Sequence, residues 1–100
     1  MLSTLTEVAH EQARQRKLWG VQNHPSFLRW KHGYLPPVDV IREMNDGAVY
    51  DGCLAWELIL LEEVAEALEE RTDLARLREE LIQVAAVAMS WVESIDRNGF

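Results

Sequence analysis

Five side chains in the second half of the chain carry the chemistry open to this sequence: Glu62, Glu63, Glu66, Glu80 and Gln83. Glu63 and Glu66 are spaced i, i+3, so on a helix their carboxylates stand side by side on one face. Two adjacent carboxylates repel each other unless water solvates them or a cation bridges them. Magnesium suits such a pair, because it takes oxygen ligands at about 2.0–2.1 Å and fills the rest of its shell with waters and substrate phosphates. A plain solvated acidic face is the other reading of the same helix, and Glu62, Glu69 and Glu70 fit it. Glu80 and Gln83 weigh against it. They share the flank of a later helix with Val84, Val87 and Trp91, and a carboxylate withdrawn from water costs several kcal/mol unless it is paired. Glu80 at the wet end of its helix beside Glu79 is one option. The sharper one has Glu80 facing Glu63 and Glu66 across a helix pair, where a cation relieves the repulsion and Gln83 offers its amide oxygen.

The elements that must hold these groups read as helices throughout. Thr4 with Glu7 forms a capping box, and the helix it opens runs to about residue 18. Gly20 and Pro25 end it. Residues 21–47 hold all three prolines, two of the three histidines and two of the five glycines, and read as an irregular connection with a short helix over 38–44. Connections of this length are usually functional in a compact domain. Asp51 is placed to cap a second helix over 52–70, and Thr72 or Asp73 a third over 74–96. No stretch alternates with period two, so no strand is predicted.

On the helix over 52–70, Leu58, Leu61, Val64, Ala65 and Leu68 form one stripe, with Glu62, Glu63, Glu66, Glu69 and Glu70 gathered opposite. The helix over 74–96 is apolar nearly all round, from Leu81, Ile82 and Val84 through Met89 to Trp91 and Val92. Such a helix needs cover on every side. Three or four helices from one such chain supply too little, which predicts a bundle completed by oligomerisation, at least a dimer.

Composition sets the outer bounds. One hundred residues make one domain, 1–100, and 48% hydrophobic with 27% charged residues is ordinary globular usage. A net charge of −7 argues against a coat for a nucleic acid polymer, which needs clustered Lys and Arg. Cys53 is the single cysteine, which leaves no intrachain disulfide and fits a reducing, cytoplasmic location. Residues 1–17 are too polar and acidic for a signal peptide. The nearly uncharged run 81–92 falls short of the roughly 20 residues a bilayer span requires, so no membrane partner is expected.

Two stretches together resemble a known family. Glu62-Glu63-Val64-Ala65-Glu66 followed by Glu80-Leu81-Ile82-Gln83 resembles the paired acidic motifs, E-E-x-x-E and then E-x-x-D, of the MazG-like nucleotide pyrophosphohydrolases. Lys17-Leu18-Trp19-Gly20-Val21-Gln22-Asn23-His24-Pro25 resembles the K-W-G-x-Q-x-H-P stretch of a subset of them. The similarity covers residues 12–25 and 56–95 and says little about 26–55. It implies an all-α, MazG-like helical bundle that assembles as a homodimer or homotetramer. It also implies hydrolysis of a nucleoside triphosphate to monophosphate and pyrophosphate with Mg2+, or Mn2+ in its place, in nucleotide-pool sanitation. Carried over residue by residue, the metal ligands are Glu63, Glu66 and Glu80, with Gln83 where the family has aspartate, and Glu62 is a supporting acid or an additional ligand. A glutamate not saturated by metal, Glu62 first among them, is suited to orient or deprotonate the water. Gln83 is a departure, since a neutral amide is a poorer magnesium ligand than a carboxylate.

Around this centre, Trp19 is suited to stack on a base, Gln22 and His24 to read the base or touch phosphate, and Lys17 to meet a phosphate. Each has a plainer role open to it: Trp19 as a core anchor, His24 as a turn residue before Pro25. Trp30, Trp56 and Trp91 read as packing residues, and His10 and His32 have no metal-ligand spacing. Two other functions stay in play: a phosphoribosyl-ATP pyrophosphohydrolase-like enzyme, and a non-catalytic nucleotide-binding or dimerisation module on the same scaffold, which Gln83 favours.

Overall fold

A computed structural model describes residues 2–27 and 35–100; Trp30 and His32 lie outside them. The described residues form four helices and no strand: α1 (Thr4–Trp19), α2 (Val38–Tyr50), α3 (Trp56–Glu69) and α4 (Leu74–Asn98). α3 is the central element. It packs on α4 along one side and on α2 along the other, while α1 touches α4 alone.

The helix ends show which local signals won. At α1 the cap is Ser3 rather than Thr4: its Oγ accepts the Thr6 N–H at 3.1 Å and shares a 2.8 Å hydrogen bond with the Thr6 hydroxyl. Gly20, at φ 71°, ends the helix by donating its N–H to the Arg16 carbonyl at 2.8 Å. Asp73 caps α4 as expected, its Oδ1 accepting from the N–H groups of Ala75 and Arg76, both at 3.1 Å. Asp51, by contrast, closes α2 instead of opening α3. Gly52 takes the left-handed conformation at φ 70°, and Cys53 N–H reaches back to the Ala48 carbonyl at 2.8 Å. That six-residue closure is the Schellman arrangement, which glycine permits at no steric cost. α3 therefore begins four residues later than the sequence suggests, at Trp56, with Ala55 before it and no side-chain cap.

α2 is the largest departure. The short helix expected over 38–44 continues through Gly47 to Tyr50, because Val38, Ile41, Asn45 and Ala48 line up as one buried stripe. A 3-4-3 spacing of this kind is what one helix presents to another. Ile41 has no exposed surface and centres a core of Val38, Ala65, Leu35 and Leu61. Asn45 Nδ2 donates to the Leu58 carbonyl at 3.3 Å and ties α2 to the first turn of α3.

α3 buries Ala65 and Ala67, and Leu68 faces out. The stripe is wider than one face because α3 is sandwiched, and small residues let both neighbours approach. α4 buries only Leu77 and Ser94 and leaves Leu81, Ile82, Val92 and Ile95 exposed. The radius of gyration, 15.8 Å, exceeds the roughly 13 Å of a compact chain of this length.

The α2–α3 seam should carry a large share of the stability. Ile41→Ala is expected to cost about 2–5 kcal/mol, the range for emptying a filled aliphatic site. Val40→Ala, one residue away but 44% exposed, should stay within about 0.5 kcal/mol. Urea denaturation midpoints of the two variants check the contrast.

Candidate metal centre

Glu63 and Glu66 rise from adjacent turns of α3, and Glu80 meets them from the second turn of α4. One carboxylate oxygen from each lies within 4.8 Å of the other two, and all three residues are half-buried. On a single octahedral magnesium, neighbouring ligands lie about 3 Å apart and opposite ones about 4.2 Å, so a trio spread over up to 4.8 Å draws together to share one ion. The donor set fits a hard divalent cation. Glu63 Oε2 and Glu80 Oε2 are buried yet accept no hydrogen bond. A charged oxygen withdrawn from water without a donor is costly, and an oxygen-seeking cation would satisfy both atoms.

The protons respond to the same crowding. Burial, then the charges of Glu66, Glu80 and Glu62, raise the Glu63 carboxyl above its ordinary value. Glu80 is raised by burial first, then by the charge of Glu66 and a hydrogen bond to that carboxylate, with Glu70 adding and Arg76 opposing. Without a cation, that crowding favours the protonated form of Glu63 and of Glu80.

Sequence reasoning missed the fourth participant, Arg42. It is the sole cation of α2 and follows Ile41, so the packing that buries Ile41 carries its guanidinium to the acidic flank of α3. Its Nη2 donates to Glu66 Oε1 at 3.1 Å, its Nε lies 3.7 Å from Glu62 Oε1, and its Nη1 lies 3.9 Å from Asp39. A lone arginine beside an apolar stripe was the available signal, legible only once α2 is known to lie against the glutamate helix. Glu62 thus stands on the Arg42 side of Glu66, outside the close trio.

An open cleft of about 380 Å³ runs between α2, α3 and α4 past this cluster. Asp39, Glu66, Glu69, Glu70 and Glu80 line it against two cations, Arg42 and Arg76, and Arg76 Nε lies 3.6 Å from Glu70. The cleft is net negative and attracts cations before anions.

The remaining predicted site residues are not gathered here. Gln83 lies one turn beyond Glu80 on α4 and is exposed, as is Glu79. Lys17, Trp19, Gln22 and His24 are exposed around the end of α1. Trp19 is 69% exposed, so within this chain it anchors no core. Gln22 joins Gln12, Gln15, Arg16 and Gly20 around a separate hollow of about 160 Å³. Among the described residues, no hydrogen bond, ion pair or cavity joins these four to the carboxylates. Trp56 and Trp91, half-buried, line an apolar groove with Leu54, Ile59 and Phe100, where α3 begins and α4 ends, in keeping with a packing role.

The described residues thus combine four helices and no strand with three carboxylates converging from two of those helices. No family model, curated protein or solved structure matches it. No helix among the described residues is long and apolar enough to cross a membrane.

Proposed function

We propose that this chain is a magnesium-dependent nucleoside triphosphate pyrophosphohydrolase of the MazG-like kind, releasing nucleoside monophosphate and pyrophosphate in the cytoplasm. The observation that carries the reading is the convergence of Glu63, Glu66 and Glu80, with two of their oxygens buried and unpaired. It gives physical content to the acidic motifs whose order and spacing the sequence shares with that family.

Glu63, Glu66 and Glu80 would hold the cation, Mg2+ or Mn2+. When bound it neutralises triphosphate charge, polarises the phosphoryl group and lowers the pKa of water. The chain's own residues do the rest. Glu66 and Glu80 line the wall of the cleft, which sets the side from which a phosphate chain would approach a cation held there. Glu62, next to the trio but outside it, is the acid left over to orient or deprotonate the attacking water. The apolar flank of α4, with Leu81, Ile82 and Val92 exposed, is the surface on which a homodimer or homotetramer would close. A second copy would also bring a further α1, with its Lys17, Trp19, Gln22 and His24, into the assembly.

One observation favours a second reading. Gln83 stands where a fourth carboxylate is expected, and a scaffold that binds a nucleotide without turning it over would tolerate that exchange. A panel of nucleoside triphosphates and phosphoribosyl-ATP, assayed for pyrophosphate release in magnesium and in manganese, decides between the readings and among substrates. Release from one or more nucleotides is the expected result, and a gain in rate at low magnesium for Gln83→Asp would bring residue 83 within reach of the cation despite its exposure. Tight nucleotide binding with no turnover in either metal establishes the non-catalytic module instead. Binding of neither metal nor nucleotide removes the proposal.

A further inference from the structure

Arg42 is in the wrong place for an ordinary surface ion pair. Its closest partner, Glu66, is also a member of the carboxylate trio, so one carboxylate serves two cationic claims. The other atoms within its reach, on Glu62 and Asp39, sit farther away at 3.7 and 3.9 Å. The guanidinium is half-exposed and borders the cleft, where its contacts are solvent-screened and readily exchanged. A divalent cation held by Glu66 and a guanidinium held by Glu66 repel each other at close range.

We infer that Arg42 is a partner-switching residue: it holds Glu66 when no cation is bound, and turns into the cleft to hold a phosphate oxygen when the trio is loaded. This rests on the metal-centre reading above and adds to it the order of events and the group that meets the anion. The cleft's charge supports the order. Its acids outnumber its two arginines, so a bare polyphosphate is repelled, and the anion enters favourably only with or after its cation. Arg42 then changes from competitor to ligand. Its planar fork of donors suits a phosphate as well as it suits a carboxylate. The same movement frees Glu62, which loses its nearest positive charge as the water-activating role falls to it.

The signature is a pair of opposite effects that no purely structural role produces. Isothermal titration of the full chain with Mn2+ alone, and with inorganic pyrophosphate in excess magnesium, reads both. Arg42→Gln removes the charge and keeps most of the stem. It is expected to bind Mn2+ up to about fivefold more tightly than wild type, since a solvent-screened competitor is gone. It should bind pyrophosphate about tenfold or more weakly, the loss of one charge-assisted contact. Arg42→Lys keeps the charge without the fork, so its Mn2+ affinity should stay within about twofold of wild type while its pyrophosphate affinity falls between the two. Circular dichroism shows that each variant is folded before titration. If Arg42→Gln weakens Mn2+ and pyrophosphate alike, or changes neither, Arg42 is a structural pair only and the inference is overturned while the metal centre stands. A wild-type chain that binds no Mn2+ overturns the metal centre, and the inference with it.

Discussion

Glu80→Ala is expected to remove magnesium-dependent pyrophosphate release by about a thousandfold or more, taking about 4 kcal/mol as the cation's share of transition-state stabilisation at 1.36 kcal/mol per factor of ten. Glu80 is the only member of the trio that α4 supplies, so its loss leaves Glu63 and Glu66 on one helix, an arrangement common on solvated surfaces. Glu63→Ala and Glu66→Ala should act similarly, with Glu66 also releasing Arg42. Removing only the charge of Glu80 has an opposite effect on the metal-free protein. Glu80 Oε2 is buried without a donor and its carboxyl is pushed up by burial and by Glu66, so Glu80→Gln removes a repulsive charge and should raise the melting temperature in chelator. A dead variant that is more stable without metal marks a ligand, whereas a dead and less stable one marks a packing residue. Single-turnover pyrophosphate release, with melting curves in chelator, tests both halves. Wild-type rates in Glu80→Ala would remove it from the site.

The second large effect is on stability, and it joins cation and pH. Saturation with Mg2+ or Mn2+ at a hundred times the dissociation constant stabilises a folded chain by about 2.7 kcal/mol, which for about 100 residues moves the melting temperature by roughly 10 °C or more. The pH dependence follows from the direction of the two shifts. Glu63 and Glu80 keep their protons in the folded chain to a higher pH than the ordinary 4.5. Between those values the native state binds more protons than the unfolded one, so stability falls as pH rises through the window. The contribution is fully present below 4.5 and is lost once the raised folded values are passed. In chelator, therefore, melting temperature should rise as pH is lowered from neutrality toward 5. With saturating Mn2+ at neutral pH the trio is already neutralised, so the slope should flatten and the cation's own effect should shrink as acid displaces it. Glu11 does not blur the test. Its hydrogen bonds to Arg14 and then Gln15 pull it down to about 2, so it titrates below the window and in the opposite sense. A melting temperature unchanged by cation at any pH would count against a metal at this cluster.

Much of the site was legible because it is written locally. The i, i+3 spacing of Glu63 and Glu66 follows from helical period alone, and Asp73 three residues before Arg76 caps α4 by the same short-range logic. Glu80 was placed opposite them by the apolar flank it shares, and α4 and α3 do pack together. What escaped is non-local or weakly patterned. α2 reads as a fragment because Asn45 and Gly47 interrupt its apolar pattern. Asn45 is nonetheless buried, its Nδ2 donating to the Leu58 carbonyl thirteen residues away while its Oδ1 has no partner among the described residues, and Gly47 is tolerated once Ile41 and Ala48 pack on α3. Asp51 looked like a helix start because aspartate is a good N-cap. The glycine after it made it a helix end.

Helical character, the caps that start α4 and end α1, and which carboxylates face the same way along each helix are written in local spacing. Those properties depend on residues within about one turn of each other. Helix packing is what closes Glu80 on Glu63 and Glu66 from another helix and brings Arg42 from a third to share Glu66. Packing also leaves Lys17, Trp19, Gln22 and His24 exposed around the end of α1. These facts turn on how buried stripes pack across 14 to 24 positions of chain, where burial of Ile41 and Ala65 outweighs the repulsion of the charges carried beside them.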